Sequence, residues 1–136
     1  MPKMIFVNLP VTELSNSIAF YTAIGGSRNP QFSDDTAACM VLSESIHVML
    51  LTHAKYSTFT TRPIANTHAT SASLLALTFD SRDEVNATLD LAVAAGGLAD
   101  PNPQQDLGFM FSRSVQDPDG HVWEIFWMDP TALATT

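Results

Sequence analysis

The pattern of apolar and polar residues along this chain occurs twice. A strand-like segment at 6–11 leads into an amphipathic stretch and Gly25-Gly26, and a second segment at 74–79 leads into a similar stretch and Gly96-Gly97. Apolar residues spaced three and four positions apart predict one buried face of a helix. They are Leu14, Ile18 and Tyr21 in the first stretch, and Val85, Leu89 and Val93 in the second.

Local signals mark the ends of both predicted helices. Ser81 and Glu84 form a capping box at the start of the second helix, where each side chain can accept a bond from a free backbone amide. The two glycine pairs follow the helices, and a glycine in the left-handed conformation commonly ends a helix.

Strand-like segments follow each helix. After the first helix they lie at 28–33, 36–42 and 46–52, with Asp34-Asp35 as a turn, and after the second they lie near Leu98, at 108–116 and at 121–128. The order predicts an α+β fold of two βαβββ modules, with helices against one face of each sheet. Residues 53–73 join the modules; so long a linker is often a lid or binding loop, and a slack connection is the simpler interpretation.

The sequence Asp117-Pro118-Asp119-Gly120 predicts a tight turn before the last strand. Proline presets φ, aspartate bonds to its own backbone, and glycine takes a positive φ. The apolar strand that follows contains one carboxylate, Glu124. Because a charge in such a strand is costly unless it is solvated, paired or metal-bound, Glu124 marks either a cavity or the wet face of the strand.

Charge and cysteine content exclude several classes of protein. The 136 residues include six Lys and Arg against 14 Asp and Glu, for a formal net charge of −8. We therefore expect neither nucleic acid nor an anionic membrane as a partner, and the acidity favours solubility or a cationic ligand. Cys39 stands alone, which excludes an intrachain disulfide and a cysteine-cluster metal site. Without a signal peptide or a membrane-spanning run, the expected location is the cytoplasm.

The doubled module and its C-terminal turn resemble the vicinal oxygen chelate superfamily, which includes glyoxalase I, extradiol dioxygenases, fosfomycin-resistance and bleomycin-resistance proteins. The resemblance covers almost the whole chain, and it is strongest in Val11-Thr12-Glu13-Leu14 with Phe20-Tyr21 and in Asp117-Pro118-Asp119-Gly120 with Glu124. It implies one domain over 1–136, with a first module at about 4–56, a linker at about 53–73 and a second module at about 74–128.

The resemblance also implies that each sheet curls into half a barrel, that the halves face each other around a cleft, and that the protein is a homodimer. Metal-binding members hold a divalent ion on four side chains, from the first and last strands of each module, as a Lewis acid. These positions fall on Phe6, Met49 or Leu50, Leu74 and Glu124. Phenylalanine and leucine offer no lone pair, and methionine suits copper(I). We therefore expect no metal cofactor, with Zn²⁺, Ni²⁺ or Fe²⁺ as the alternative.

Other polar residues allow more than one interpretation. His47 and His53 share strand parity with Met49 and become ligands only if the register is displaced; otherwise His47 faces solvent and His53 begins the linker. Asn8 shares the face of Phe6, so it can orient a ligand oxygen or bond to a neighbouring strand.

Two further residues flank the predicted turn. Arg113 stands in the strand before it, where it can pair with an anionic ligand or with Glu124, or face solvent. His121 directly follows Gly120, and we expect it at the surface.

The predicted function is binding of a small molecule in an apolar cleft without the usual metal centre. The predicted ligand-binding residues are Phe6, Asn8, Met49, Leu74, Arg113 and Glu124, and Glu124 is also the one candidate for catalysis or metal binding. The alternative is a divalent-metal-dependent lyase or dioxygenase of the glyoxalase I or extradiol type, in which His47, His53 or Asn8 joins Glu124. A third possibility is a metal-free isomerase or lyase in which Glu124 moves a proton on a carbon beside a carbonyl.

Overall fold

The computed structural model describes residues 2–134, and the chain divides into two compact units between Asn66 and Thr67. Each unit has a mixed β-sheet with a helix against one face. The predicted α+β fold with two βαβββ modules is therefore confirmed. None of the helices among the described residues has the length and apolarity to cross a lipid bilayer.

The first unit contains a four-stranded sheet in the order β1-β4-β3-β2, in which β1 and β4 are parallel. Its elements are β1 (Ile5–Val11), α1 (Leu14–Ala23), β2 (Ser27–Asn29), β3 (Ala37–Val41), β4 (Ile46–Thr52) and α2 (His53–Tyr56). The strand predicted at 28–33 is wrong beyond Asn29, where a 3-10 turn at Pro30–Phe32 replaces it. Proline fixes φ and has no N–H for the ladder, so the strand ends there.

Helix α1 packs on the first sheet through a face slightly rotated from the predicted one. Its buried residues are Ser17, Phe20 and Tyr21, whereas Leu14 and Ile18 are only half-buried. The sheet meets this face with residues such as Leu50 and Val48, which are fully buried. Among the described residues of this unit, the opposite face of the sheet has no long helix packed on it.

The second unit contains a sheet in the order β5-β9-β8-β6, with β7 paired to β8 and with β5 parallel to β9. Its elements are β5 (Leu74–Phe79), α3 (Arg82–Ala94), β6 (Leu98–Ala99), β7 (Gln105–Asp106), β8 (Met110–Gln116), β9 (Val122–Met128) and α4 (Pro130–Ala134).

Helix α3 begins at the predicted cap and buries a face that differs from the prediction at one position. Ser81 Oγ accepts from the Glu84 amide at 3.0 Å, and Glu84 Oε2 accepts from the amide of Asp80 at 3.0 Å, one residue earlier than a reciprocal box requires. The buried residues are Val85, Thr88, Leu89 and Ala92. Val93 is 43% exposed, so its placement in the buried face was wrong.

The predicted turn joins β8 to β9 and sets their register. Asp117 Oδ1 accepts from the amides of Asp119 and His121, both at 2.9 Å, and Gly120 has a φ of 92°. A Cβ at Gly120 would lie 2.6 Å from the carbonyl carbon of Thr67, so glycine is required by contact as well as by conformation. The turn places Ser114 directly opposite Glu124.

The segment predicted as a linker contains ordered structure in both units. It opens with α2, and Thr67 Oγ1 donates to the backbone oxygen of Asp119 at 2.6 Å. His121, which we expected at the surface, is buried at 8% exposure. Residues 67–73 lie beside it and line a cavity together with it, which explains the difference.

Candidate functional site

Alternate residues of β9 lie on opposite faces of the second sheet, and this alternation decides where Glu124 points. Trp123 and Ile125 are buried on the face that α3 covers. Glu124 lies on the other face, which we call the open face. Its residues on β9 are Val122, Glu124, Phe126 and Met128, and their register partners are Leu74, Ala76 and Thr78 on β5 and Gln116, Ser114, Ser112 and Met110 on β8.

The open face forms the floor of a cavity of about 550 Å³, which we call the hollow. This volume lies within the usual range of small-molecule sites, about 300–1,000 Å³. The apolar part of the lining consists of Leu74, Ala76, Pro103, Met110, Phe126 and Met128. The polar part consists of Asn102, Gln105, Ser112 and Glu124. Every one of these residues belongs to the second unit, so the site is built within it.

Glu124 is held in the hollow by neutral donors. Asn102 Nδ2 donates to Glu124 Oε1 at 2.8 Å, and Ser112 Oγ donates to Oε2 at 3.4 Å. The second contact is long for a hydroxyl donor, whose usual distance is about 2.7–2.8 Å, so Oε2 is the less committed oxygen. No Lys, Arg or His lines the hollow among the described residues.

Asn102 is itself fixed by the sheet. Its backbone amide donates to Ser114 Oγ at 2.9 Å, and Ser114 Oγ donates to its backbone oxygen at 3.1 Å. Ser114 is fully buried beneath this contact. The loop after β6 is thus tied to β8 beside Glu124, and the orientation of the carboxylate follows from this reciprocal pair.

Arg113 is not brought to Glu124. It lies on the helix face of β8, where Nη2 donates to Asp100 Oδ2 at 2.6 Å and Nη1 donates to Asn86 Oδ1 at 2.9 Å. The ion pair with Glu124 that the sequence allowed therefore does not form, because neighbouring residues of a strand alternate between its faces.

In the first unit, Phe6, Asn8 and Met49 share the face of the sheet opposite α1, as their parity predicts. Asn8 Nδ2 donates to the backbone oxygen of Phe6 at 3.3 Å. Asn8 also lines a cavity of about 290 Å³ with Leu51, Tyr56, Phe59 and Thr60. Leu74, the remaining candidate, is 57% exposed and lies at the rim of the hollow in the second unit.

His47 is buried rather than solvent-facing. It is 8% exposed, and its ring stacks on Phe6 with centroids 4.3 Å apart and planes at 14°. The two residues are register partners on the parallel strands β1 and β4, which explains the contact. Nδ1 of His47 is buried and has no hydrogen-bond partner among the described residues. His53, by contrast, is exposed at the start of α2.

The donor set does not fit the four-ligand metal centre that the resemblance implies. In the part of the chain that the structure describes, no three His, Cys, Asp or Glu side chains cluster so as to hold an ion. The nearest neighbours of Glu124 are an amide and a hydroxyl, and a single carboxylate does not hold zinc, which usually takes three or four protein ligands. Cys39 lies directly opposite Met49 on the neighbouring strand. Burial raises the pKa of its thiol, however, and a metal binds the thiolate.

Sequence reasoning missed the residues that hold Glu124. Ser112 and Ser114 could have been found, because the turn at 117–120 fixes the hairpin register and places Ser114 opposite Glu124. Asn102 carried no such signal. Its position depends on the path of a loop, which no local pattern predicts.

Comparison with known proteins agrees with the architecture. The family model described as Glyoxalase/Bleomycin resistance protein/Dioxygenase superfamily matches residues 3–125. A hypothetical protein from S. aureus has 23% identity and a TM-score of 0.74, with 93% of this chain and 95% of that chain covered. A glyoxalase/bleomycin resistance protein/dioxygenase family enzyme from Burkholderia phytofirmans PsJN has 16% identity and a TM-score of 0.77, with 93% and 99% covered.

A fosfomycin resistance protein, FosX, from Mesorhizobium loti has a similar fold. It shares 12% identity with a TM-score of 0.68, and 98% of each chain is covered. No protein among those with curated functions matches this chain. At these identities the structural likeness establishes the fold alone.

Proposed function

Because this chain belongs to the glyoxalase/bleomycin resistance protein/dioxygenase superfamily, we propose that it binds a small molecule in the hollow of its second unit without a tightly held divalent metal. The observation that carries the proposal is the chemistry of the lining. The apolar wall of the hollow includes Leu74, Met110, Phe126 and Met128. One carboxylate, Glu124, lies among them and accepts hydrogen bonds from neutral donors. This combination of an apolar cavity and a few fixed polar groups is typical of ligand sites.

The lining also indicates the charge of the ligand. Among the described residues that line the hollow, no cationic side chain lies beside Glu124. An uncompensated carboxylate in an apolar setting is costly. A ligand with a protonated nitrogen supplies the missing charge while its apolar body covers the walls. The net charge of −8 favours the approach of such a cation.

Isothermal titration calorimetry tests this function. The probes are N-methylhexylammonium, which has a short apolar chain and one charge, and bleomycin. We expect N-methylhexylammonium to bind, and Glu124→Gln to weaken it by about ten- to a hundredfold, because hydrogen bonds to charged groups contribute about 1.5–3 kcal/mol.

Glu44→Gln is the matched control, since Glu44 is exposed in the loop before β4. It should leave the affinity unchanged. Absence of heat from every probe, or equal affinity in the Glu124→Gln variant, would contradict the proposal.

A second function, metal-free proton transfer, has one observation in its favour. Among the described residues, the one contact to Oε2 of Glu124 is the 3.4 Å hydrogen bond from Ser112, so this oxygen has room to accept a proton from a carbon beside a ligand carbonyl. Binding retained with turnover lost in Glu124→Gln would support catalysis by this residue.

The metal-dependent lyase or dioxygenase is the remaining alternative. Elemental analysis after growth with excess Zn²⁺, Ni²⁺ and Fe²⁺ separates it from both metal-free functions. Less than about one-tenth of a metal ion per chain would dismiss it, because its chemistry requires the bound ion.

A further inference from the structure

The second unit contains a smaller cavity of about 200 Å³ that shares Leu74 and Asn102 with the hollow. We call it the annex; residues 67–74 form one wall, and Gln116 and residues 120–122 form the other. We propose that the hollow and the annex are one elongated site, whose ligand has an apolar tail, a protonated nitrogen near its middle and a neutral, hydroxyl-rich head.

The order of these three parts follows from the register of the open face. The strands carry four successive rows of side chains: Leu74, Val122 and Gln116; Ala76, Glu124 and Ser114; Thr78, Phe126 and Ser112; and Met128 with Met110. Rows on one face are two residues apart, which is about 6.6 Å, so the face is about 20 Å long. Hydrogen-bonding side chains lie in the first three rows, Met110 and Met128 form a wholly apolar end, and the carboxylate lies in the second row, between the annex and that end.

Hydrogen-bonding side chains make up most of the lining of the annex. Its side chains include the hydroxyls of Ser71 and Ser73, the amide of Gln116 and the imidazoles of His68 and His121, and no Lys, Arg, Asp or Glu is among its lining residues in the described chain. Hydroxyls and amides both donate and accept, which matches the hydroxyl groups of a polyol or sugar. The lining has no Arg or Lys for a phosphate or carboxylate head among the described residues, and an anionic head would lie close to the negative charge of Glu124, so a neutral head fits best.

Asn102 marks the boundary between the two cavities. Its side chain donates to Glu124 Oε1, and its backbone amide and carbonyl both hydrogen-bond to Ser114 Oγ. A ligand that passes this point brings its middle to Glu124 while its two ends lie in different surroundings. This inference rests on the proposed function, because the tail occupies the hollow.

Two probes that differ only in the head test the annex. N-hexyl-D-glucamine carries a hexyl tail, a secondary ammonium and a polyol head, whereas N-methylhexylammonium lacks the head. We expect the glucamine to bind about tenfold more tightly or better, as one or two additional hydrogen bonds would give. In an amide NMR titration it should shift Ser71 and Gln116 as well as Phe126 and Met128, and the headless probe should shift only the latter pair.

Substitutions in the annex separate it from the hollow. Ala72→Phe fills the annex, since Ala72 lines this cavity and not the hollow. It should lower the affinity for the glucamine to that of the headless probe and leave the headless probe unaffected. Gln116→Leu should have a smaller effect in the same direction. Ala65→Phe and Gln31→Leu, at exposed positions of the first unit, are the matched controls.

The outcomes distinguish the annex from the function on which it rests. If N-methylhexylammonium binds but the glucamine binds no more tightly, the annex is refuted and the hollow remains a site. If N-hexyltaurine, with an anionic head, binds more tightly than the glucamine, the neutral head is refuted. If none of the three probes binds, both the annex and the proposed function are contradicted.

Discussion

Asn102 donates a 2.8 Å hydrogen bond to Glu124 from a loop that is 22 residues away in the sequence. This contact converts the carboxylate of an otherwise apolar strand into an oriented group with one oxygen satisfied. The loop reaches that position because Ser114 bonds to both the amide and the carbonyl of Asn102. The orientation of Glu124 therefore depends on Asn102, which is held by hydrogen bonds of its backbone as well as of its side chain.

Asn102→Ala should lower the free energy of unfolding by about 1–2 kcal/mol, since it removes a charge-assisted hydrogen bond from a partly buried carboxylate. Urea denaturation at neutral pH measures the change. Asn16→Ala, on the exposed face of α1, is the control and should be neutral or slightly stabilising, because alanine favours a helix. Equal stability of the wild type and Asn102→Ala would mean that the contact contributes nothing.

Gly120→Ala should be strongly destabilising. An added Cβ would lie 2.6 Å from the carbonyl carbon of Thr67, and the φ of 92° strains any side-chain-bearing residue. Steric and conformational costs together should lower the free energy of unfolding by about 2–4 kcal/mol.

Gly108→Ala separates the two costs of the previous substitution. Gly108 has a φ of 83°, but nothing lies within 4 Å of the position that an added Cβ would take. Gly108→Ala should lower the free energy of unfolding by only about 1 kcal/mol, because it carries the conformational cost alone. If both variants lost the same stability in urea, the contact between the turn and residue 67 would not be significant.

The sequence predicted the fold well because its signals are local. Alternating strands, the Ser81 cap and the turn at 117–120 act over a few residues, and the turn also determines that Ser114 lies opposite Glu124. One error was local, since Pro30 ends the strand that was predicted at 28–33. Others arose where distant parts of the chain meet. Asn102 reaches Glu124 through a loop, and His47 is buried because Phe6 on a parallel neighbouring strand stacks on it.

Arg82 fastens the segment that leads into β8, and its contribution should depend on pH. Its guanidinium donates to both carboxylate oxygens of Asp106, at 2.8 and 3.0 Å, and lies over the rings of Phe111 and Trp127. The hydrogen bond from Arg82 lowers the pKa of Asp106 below its ordinary value of 3.8. Because the folded pKa is depressed, the stabilisation is fully present above about pH 4 and is lost as the pH falls through the folded value.

Melting temperatures of the wild type and Asp106→Asn, compared over a pH series, test this dependence. The wild type should melt higher at neutral pH, and the difference should shrink below about pH 4 as Asp106 becomes protonated. Asp35→Asn, at an exposed position outside the described salt bridges, is the control for a change of charge alone. A difference that stays constant down to the lowest pH would contradict the role of the ionised pair.

His47→Phe should stabilise the protein. Nδ1 of His47 is buried without a hydrogen-bond partner among the described residues, while the ring stacks on Phe6 with planes at 14°. Phenylalanine keeps a ring of similar shape and removes the unsatisfied polar atom, which costs about 1–3 kcal/mol when left buried. We expect the free energy of unfolding, measured in urea at neutral pH, to rise by about 1 kcal/mol.

His47→Ala and His53→Phe complete the comparison. The alanine variant loses the ring and should be destabilised by about 2 kcal/mol or more, as truncation of a buried side chain usually is. His53 is exposed on α2, so its replacement by phenylalanine should change stability by less than about 0.5 kcal/mol. If His47→Phe were instead as unstable as His47→Ala, the imidazole nitrogen would be engaged in the native protein, and the unsatisfied state of Nδ1 would be disproved.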